Sequence, residues 1–235
     1  MNVYELIGVI LGDGYIRYNP TTRIYGLEIT GDAKDDQEYF ANLSDFIETI
    51  AKKKPKLFIR NEVKGRSLRL SIYSKKFAEY LIHGLSIAHH NKTFDGSIPE
   101  KFIDWKYSKH IIRGLFETDG SIYFSKSRRI NHPSYPRIEL VTSSKKLALQ
   151  MANILKQKDF NIHTRTRKSD KTFRLYLSGS IMLEKWVNEI GFSSMKKFSK
   201  YLLWKKYGYY LPKITYAQRL IFLGERGTAA TAVDG

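Results

Sequence analysis

The sequence predicts an α+β fold built from two similar αββαββα repeats, and three observations support this prediction. First, an apolar segment that ends in Asp13-Gly14 returns, altered, before Asp119-Gly120, 106 residues later. Second, the same order of alternating and amphipathic stretches follows each segment. Third, short echoes such as Glu28-Ile29 with Glu139-Leu140 recur at offsets of 105 to 111 residues. We therefore expect two pseudo-symmetric repeats, each with a four-stranded antiparallel sheet.

The two apolar segments read as helices that carry small residues four positions apart. Small residues on one face allow two helix backbones to approach closely. We expect the helices to pack through these faces, which would bring Asp13 and Asp119 side by side. The glycine after each aspartate is expected to adopt the left-handed conformation that ends helices. The small residues are Gly8, Gly12, Gly114 and Thr118.

Two neighbouring carboxylates at the negative ends of helix dipoles repel each other. A positive group is therefore expected between Asp13 and Asp119. Paired hard oxygen ligands suit Mg²⁺ or a similar divalent ion, which can also bind phosphate oxygens of a substrate.

Hydrophobic periodicity predicts the remaining elements. In the first repeat these are strands at 15–19 and 24–30, a helix at 34–51, strands at 56–62 and 67–73, and a helix at 75–83 capped by Gly84. In the second they are strands at 120–126 and 137–142 around a loop at 127–136, a helix at 145–158, strands at 161–168 and 172–178, and a helix at 181–190 ended by Gly191. Further helices are predicted at 195–208 and 214–223, followed by a tail.

These elements divide the chain into three units. Residues 1–103 form the first repeat with its connector, residues 104–194 the second repeat, and residues 195–235 a basic, aromatic extension with a tail. The helix at 34–51 has an acidic outer face, which is expected to point away from any polyanionic partner. The members of this face are Asp35, Asp36, Glu38, Asp45 and Glu48.

The charge of the chain points to a polyanionic partner. Its formal net charge is +17, and its distribution is uneven. Residues 1–50 hold three Lys or Arg against nine Asp or Glu, whereas residues 51–235 hold 37 against 14. Nucleic acid is the first candidate and an acidic membrane surface the second, but the basic residues fall largely in strand-like segments. With no cysteine and no apolar run of about 20 residues, we expect a soluble, intracellular protein without disulfides or thiolate metal sites.

The segments at 6–14 and 112–120 resemble the LAGLIDADG motif of homing endonucleases, in the single-chain form with two motifs. The resemblance implies motif helices packed at a pseudo-twofold axis and two sheets that form a saddle over the DNA major groove. By position, Asp13 and Asp119 would bind the divalent metal, with the carbonyls of Gly12 and Thr118 as additional ligands. The expected ion is Mg²⁺, with Mn²⁺ or Ca²⁺ as substitutes and Ca²⁺ non-productive. Glu117 is expected to be a neighbour of this site and not a ligand.

The family also places a basic residue near each scissile phosphate. Lys92 is the best match in the first repeat, and Lys196 or Lys197 in the second. His89 and His90 lie near Lys92, and without partners at a zinc-like spacing they favour loop or DNA contacts.

Outward-facing strand residues of one alternation are expected to read the DNA, with arginines pairing to guanine and Lys126 and Lys168 serving phosphates. About half of the candidates are expected to contact DNA. They are Arg17, Arg23, Tyr25, Arg60, Arg66, Arg69 and Ser71 in the first repeat, and Tyr123, Lys126, Arg128, Arg137, Arg165, Arg167, Lys168, Arg174 and Tyr176 in the second.

The resemblance implies a monomeric, intron-encoded enzyme that makes a site-specific double-strand break in a long DNA target and leaves short 3′ overhangs. One alternative is an RNA maturase of the same fold that binds intron RNA. Another is a catalytically silent DNA-binding regulator, which would be expected to lose one or both aspartates.

Overall fold

The structure, a computed structural model, describes residues 1–63, 65–89, 95–127, 130–167, 169 and 171–224, without the side chains of residues 127, 130 and 131. Within these residues the chain forms the two predicted αββαββα repeats, followed by two further helices. The α+β class is therefore confirmed. No helix in the described ranges is long and apolar enough to cross a membrane.

The first repeat begins with the motif helix and ends with a short helix that widens into a π-helical turn at Tyr80–Gly84. Its elements are α1 (Val3–Leu11), β1 (Gly14–Asn19), β2 (Ile24–Asp32), α2 (Gln37–Ala51), β3 (Lys56–Glu62), β4 (Gly65–Ile72) and α3 (Lys75–Glu79).

The second repeat follows a connector that includes the 3₁₀ turn Glu100–Phe102. Its elements and those of the C-terminal extension are α4 (Trp105–Asp119), β5 (Gly120–Ser127), β6 (Ile130–Thr142), α5 (Lys145–Lys156), β7 (Ile162–Arg167), β8 (Thr172–Ser178), α6 (Ser180–Glu189), α7 (Met195–Tyr207) and α8 (Tyr216–Leu223).

Two element boundaries differ from the prediction for identifiable reasons. Helix α2 begins at Gln37 because Asp32–Asp36 forms a turn, in which the Asp32 carboxylate accepts hydrogen bonds from the amides of Lys34 and Asp35. The expected loop at 127–136 is mostly strand β6, which contains Pro133 and Pro136. These prolines are tolerated because β8 pairs only with Arg137–Thr142, so the earlier part of β6 has one ladder partner.

Each sheet has the same antiparallel order, β1-β2-β4-β3 in the first repeat and β5-β6-β8-β7 in the second. Side chains alternate between the two faces of a strand. Leu27, Ile29 and Leu70 therefore face inward, where they are buried in the same core as Leu43 and Ile47 of α2. The opposite faces of the two sheets remain available to a partner.

The motif helices α1 and α4 pack backbone to backbone, as the small residues predict. A Cβ atom added at Gly8 would lie 2.0 Å from the Ile111 carbonyl oxygen. A Cβ atom at Gly114 would lie 2.1 Å from the Glu5 carbonyl oxygen. The two contacts are related by the pseudo-twofold symmetry, so only glycine fits at the centre of the interface.

A buried ion pair also joins the two motif helices. The side chain of Glu5 is fully buried, and its Oε2 accepts from Nε and Nη2 of Arg113 at 3.2 and 2.9 Å. Arg113 Nη1 also donates to the Ile190 carbonyl, so the pair ties α1, α4 and the end of α6 together.

Candidate active site and nucleic-acid interface

The carboxylates of Asp13 and Asp119 lie at adjacent ends of α1 and α4, and both residues are exposed. A Cβ atom at Gly12 would lie 2.9 Å from Asp119 Oδ2 and 2.0 Å from Thr118 Oγ1. Helix α4 therefore brings the acid of the second motif against the last turn of the first motif. This is the proximity that the duplicated motif predicts.

The expectation of left-handed glycines after the aspartates is wrong. Gly14 and Gly120 begin strands β1 and β5, and neither has a positive φ. Glycine is required there by close approach: a Cβ atom would lie 2.6 Å from Ile10 Cα in the first motif and 2.3 Å from Phe116 Cδ2 in the second. The chain thus turns from helix to strand directly over the preceding helical turn.

The chemistry of this donor set fits a divalent metal ion. Asp13 and Asp119 offer two carboxylates, and the lack of a side chain at Gly12 lets Thr118 and Asp119 approach the end of the first motif closely. In the part of the chain that the structure describes, no group of three or more His, Asp or Glu side chains could hold a metal by itself. A Mg²⁺ ion here would take its remaining ligands from water, backbone carbonyls and phosphate oxygens, as Mg²⁺ commonly does.

A polar cavity of about 300 Å³ opens beside Asp13. It lies where the start of α2, the end of α4 and the helices of the C-terminal extension meet. Its polar and charged lining residues are Asp13, Thr30, Asp35, Asp36, Tyr39, Glu117, Thr118, Ser121, Lys196, Lys197, Lys200 and Arg219.

Both predicted lysines of the second repeat line this cavity, but they have different surroundings. Lys196 Nζ forms an ion pair with Asp36 Oδ1 at 2.9 Å and remains partly exposed. Lys197 is only 8% exposed, donates to the Phe116 carbonyl and lies over the Phe116 ring. Burial lowers the pKa of Lys197 to about 8, an effect that the neighbouring Glu117 carboxylate opposes. Lys196 is therefore the better placed of the two to meet a phosphate.

Glu117 is a neighbour of the aspartates, as expected. Its carboxylate forms hydrogen bonds within the protein. Its Oε1 accepts from the Ser193 amide at 2.8 Å and its Oε2 from Ser194 Oγ at 2.6 Å. Burial raises the pKa of Glu117, while Lys197 and Ser194 counteract the rise. The side chain thus fastens α4 to the start of α7.

The acidic residues at the start of α2 do not all point away from the site. Asp35 and Asp36 line the cavity beside Asp13, because they belong to the turn before the helix and not to its outer face. Sequence reasoning also missed Lys200 and Arg219. Both line the cavity only because α7 and α8 fold back onto the repeats. No local periodicity signals that path.

The strand register decides which of the predicted DNA-reading residues share the outer sheet faces. Arg17 is on the same face as Glu28 and Ser71, and Tyr123 is on the same face as Arg137. Ser71 is buried despite this placement. The predicted residues on these faces are Arg17, Arg60, Arg69 and Ser71 in the first repeat, and Tyr123, Arg137, Arg165, Arg167, Arg174 and Tyr176 in the second.

Two of the residues predicted to read DNA lie on the opposite face of the first sheet, which packs against the helices. Tyr25 shares the face of the buried Leu27, and Arg66 shares the face of the buried Leu68. A shift of one residue moves a side chain to the other face, so both placements depend on the turn before the strand. Arg23 lies in the β1–β2 turn with φ of 55°.

Lys126 is exposed beyond an irregularity in the β5–β6 pairing. Three other predicted basic residues and one histidine lie outside the described residues. They are Lys92, Arg128, Lys168 and His90.

Glutamates hold several of the outer-face arginines in place. Glu28 accepts from Arg17 at 2.9 Å and from Tyr73 at 2.6 Å, and Arg17 lowers the pKa of this carboxyl. Glu139, the equivalent of Glu28 in the second repeat, accepts from Arg174 at 2.7 Å. The arginines are thus oriented before any partner binds.

This combination of two sheets, two glycine-packed helices and paired aspartates defines a class of protein. Residues 107–191 match the family model described as the LAGLIDADG-like domain. The chain has the fold of the LAGLIDADG homing endonucleases, with two repeats in one polypeptide. A comparison with curated protein sequences found no match.

Particular solved structures have the same fold at low sequence identity. The structure of I-DmoI in complex with DNA and Mn is 19% identical, with a TM-score of 0.55, and the match covers 81% of this chain and 96% of that one. The homing endonuclease I-WcaI bound to its DNA recognition sequence is 17% identical, with a TM-score of 0.55 and coverage of 81% of both chains. The N-terminal LAGLIDADG domain of DUF199/WhiA is 14% identical, with a TM-score of 0.50, and the match covers 81% of this chain and 80% of that one.

Proposed function

We propose that this protein is a site-specific, metal-dependent DNA endonuclease that cuts both strands of a long target and leaves short 3′ overhangs. The observation that carries the proposal is the contact between the two motif ends, where Asp119 reaches Gly12 beside Asp13. The strongly basic composition of residues 51–235 and the arginine-bearing outer faces of both sheets support DNA as the substrate.

In this proposal each part of the chain has a separate task. The sheet arginines bind and orient the duplex, and Asp13 and Asp119 hold Mg²⁺ together with the carbonyls of Gly12 and Thr118. When bound, the ion supplies water activation and neutralisation of charge on the phosphate. Lys196, oriented by Asp36, adds positive charge beside the strand cut near Asp13. Because both motifs are in one chain, a monomer would contain both halves of the site.

The test is a selection of cleaved sites from a randomised DNA library with Mg²⁺ present, followed by mapping of both cut ends. Asp13→Asn and Asp119→Asn should abolish double-strand cleavage but keep DNA affinity, since they remove ion ligands and no sheet contact. Asp45→Asn, on the exposed face of α2, is the matched control and should cut normally. Wild-type cutting by either site variant would contradict the proposed metal site.

A catalytically silent DNA-binding regulator is the second candidate, because the arginine-bearing outer faces of the two sheets would serve DNA binding without cleavage equally well. The same library separates the two functions. A regulator would enrich bound sequences without cut ends. An RNA maturase would instead accelerate splicing of an intron RNA. Encoding within an intron remains a prediction.

A further inference from the structure

Helices α7 and α8 lie beyond the two repeats, yet they supply basic side chains to the cavity beside Asp13. Lys200 of α7 is half-buried in its wall, and its Nζ donates to the Ile122 carbonyl at 3.2 Å. Ile122 lies in β5, three residues after Asp119. Lys200 therefore reaches the segment that directly follows the second motif.

We propose that Lys200 contacts the phosphate of the DNA strand that is cut beside Asp13. In the same proposal Arg219 of α8 is a positioning residue that holds Lys200 and Lys196 toward this phosphate. The inference rests on the proposed endonuclease function and extends the active site into the C-terminal extension.

The contacts of Arg219 support a positioning role. Arg219 is 4% exposed, and its guanidinium donates to Ser199 Oγ at 2.9 Å and to the Lys196 carbonyl at 3.0 Å. Both acceptors belong to the first turns of α7, the segment that carries Lys196 and Lys200. The planar guanidinium fixes two points of this segment at once, which a lysine ammonium would do less well.

Lys200 offers the cavity an ammonium group in addition to the two lysines predicted from sequence. Lys197 is directed inward to the Phe116 carbonyl, and Lys196 is already held by Asp36. No ion pair to Lys200 is found among the residues that the structure describes. Its ammonium thus lines the cavity with a backbone carbonyl as its hydrogen-bond partner.

The corresponding position in the other half of the molecule is built differently. The start of α5 packs against the connector, where Ser144 Oγ donates to the Gly96 carbonyl at 2.6 Å and Gln150 bonds both backbone groups of Ile98. Residues 95–99 contain no Lys or Arg. The start of α2 instead meets Lys196 of α7. Lys200 lines the cavity beside Asp13, so its loss should affect the DNA strand cut there.

The experiment uses a duplex target recovered by the library selection, with a different fluorophore on each strand, under single-turnover conditions with Mg²⁺. Lys200→Met should slow one strand by about 100-fold, the effect of losing one stabilising donor, while the other strand keeps its rate. Arg219→Lys should slow the same strand by about tenfold through misplacement. Lys200→Arg should restore cutting. Lys205→Met, on the exposed side of α7, is the matched control.

The inference would be overturned if Lys200→Met slowed cutting of both strands equally or of neither. It would also be overturned if Lys200→Met and Arg219→Lys slowed different strands. A second readout does not depend on cutting. The lysines are acetylated chemically in Ca²⁺, with and without DNA, and the extent of labelling at each lysine is measured by mass spectrometry. Lys200 should be protected by DNA and Lys205 unaffected; equal labelling of Lys200 in both states would also overturn it. If the wild-type protein cuts neither strand of any duplex, the proposed function fails, while the labelling, carried out with a duplex selected for binding in Ca²⁺, still decides whether Lys200 contacts DNA.

Discussion

The glycine contact between the motif helices makes a sharp prediction about stability. A Cβ atom at Gly8 would lie 2.0 Å from the Ile111 carbonyl oxygen, whereas Cβ atoms in proteins essentially never approach within 3.0 Å. Gly8→Ala therefore requires the helices to separate locally by about 1 Å. The obstacle is backbone, which cannot rotate away as a side chain would.

We expect Gly8→Ala to destabilise the fold by about 3 kcal/mol, the upper part of the range for overpacking. At an open helical position the same change would instead stabilise by about 1 kcal/mol, because alanine has the higher helix propensity. The sign of the change is therefore diagnostic. For a chain of this size the loss corresponds to a fall in melting temperature of roughly 6–12 °C.

Thermal and denaturant unfolding followed by circular dichroism would measure the effect. Asn42→Ala, at an exposed position of α2, is the control and should leave stability nearly unchanged or slightly raised. Gly114→Ala should behave like Gly8→Ala, and the double variant should cost less than the sum, because one separation relieves both clashes. An unchanged melting temperature for Gly8→Ala, or full additivity, would refute the contact.

Three further predictions concern charge. In a double-mutant cycle, Lys197→Met and Glu117→Gln should each cost about 2 kcal/mol of stability, because each change leaves a buried polar group without its charged neighbour. The double variant should cost less than the sum; additive costs would contradict an attraction between the two side chains. Arg17 lowers the pKa of Glu28 below its usual 4.5. The wild-type protein should therefore be more stable than Glu28→Gln above pH 4.5, and this stability difference should disappear as the pH falls through the lowered pKa of the folded state. A stability difference that persists in acid would contradict this. If the protein contacts about ten phosphates, log affinity should fall with log salt with a slope of roughly −9, and a slope near zero would contradict extensive phosphate contact.

The sequence was sufficient where a local pattern was duplicated. Gly8 and Gly114 predict close packing because only a small residue admits another backbone, and their recurrence identified the pair. Once these helices pack, Asp13 and Asp119 must lie close together, since each ends its own helix. The architecture therefore followed from periodicity and repetition.

What the sequence could not supply depends on register and on the path of the chain. Tyr25 and Arg66 were assigned to the outer face, but one residue of register reverses a side chain. Lys200 and Arg219 line the cavity beside Asp13 only because α7 and α8 fold back across the start of α2, and their own segments carry no pattern that signals this. Gly14 was predicted to be a left-handed cap, yet it is required by the close approach of Ile10.

The Glu5–Arg113 ion pair favours packing of the first repeat against the second over packing of either repeat against a copy of itself. Across the 106-residue offset, the counterpart of Glu5 is Ile111 and that of Arg113 is Ile7. Two copies of the first half, joined through α1, would bury two glutamates without cations, and two copies of the second would bury two arginines without carboxylates. Breaking a buried pair in this way costs several kcal/mol. Each half therefore disfavours a copy of itself and accepts the other.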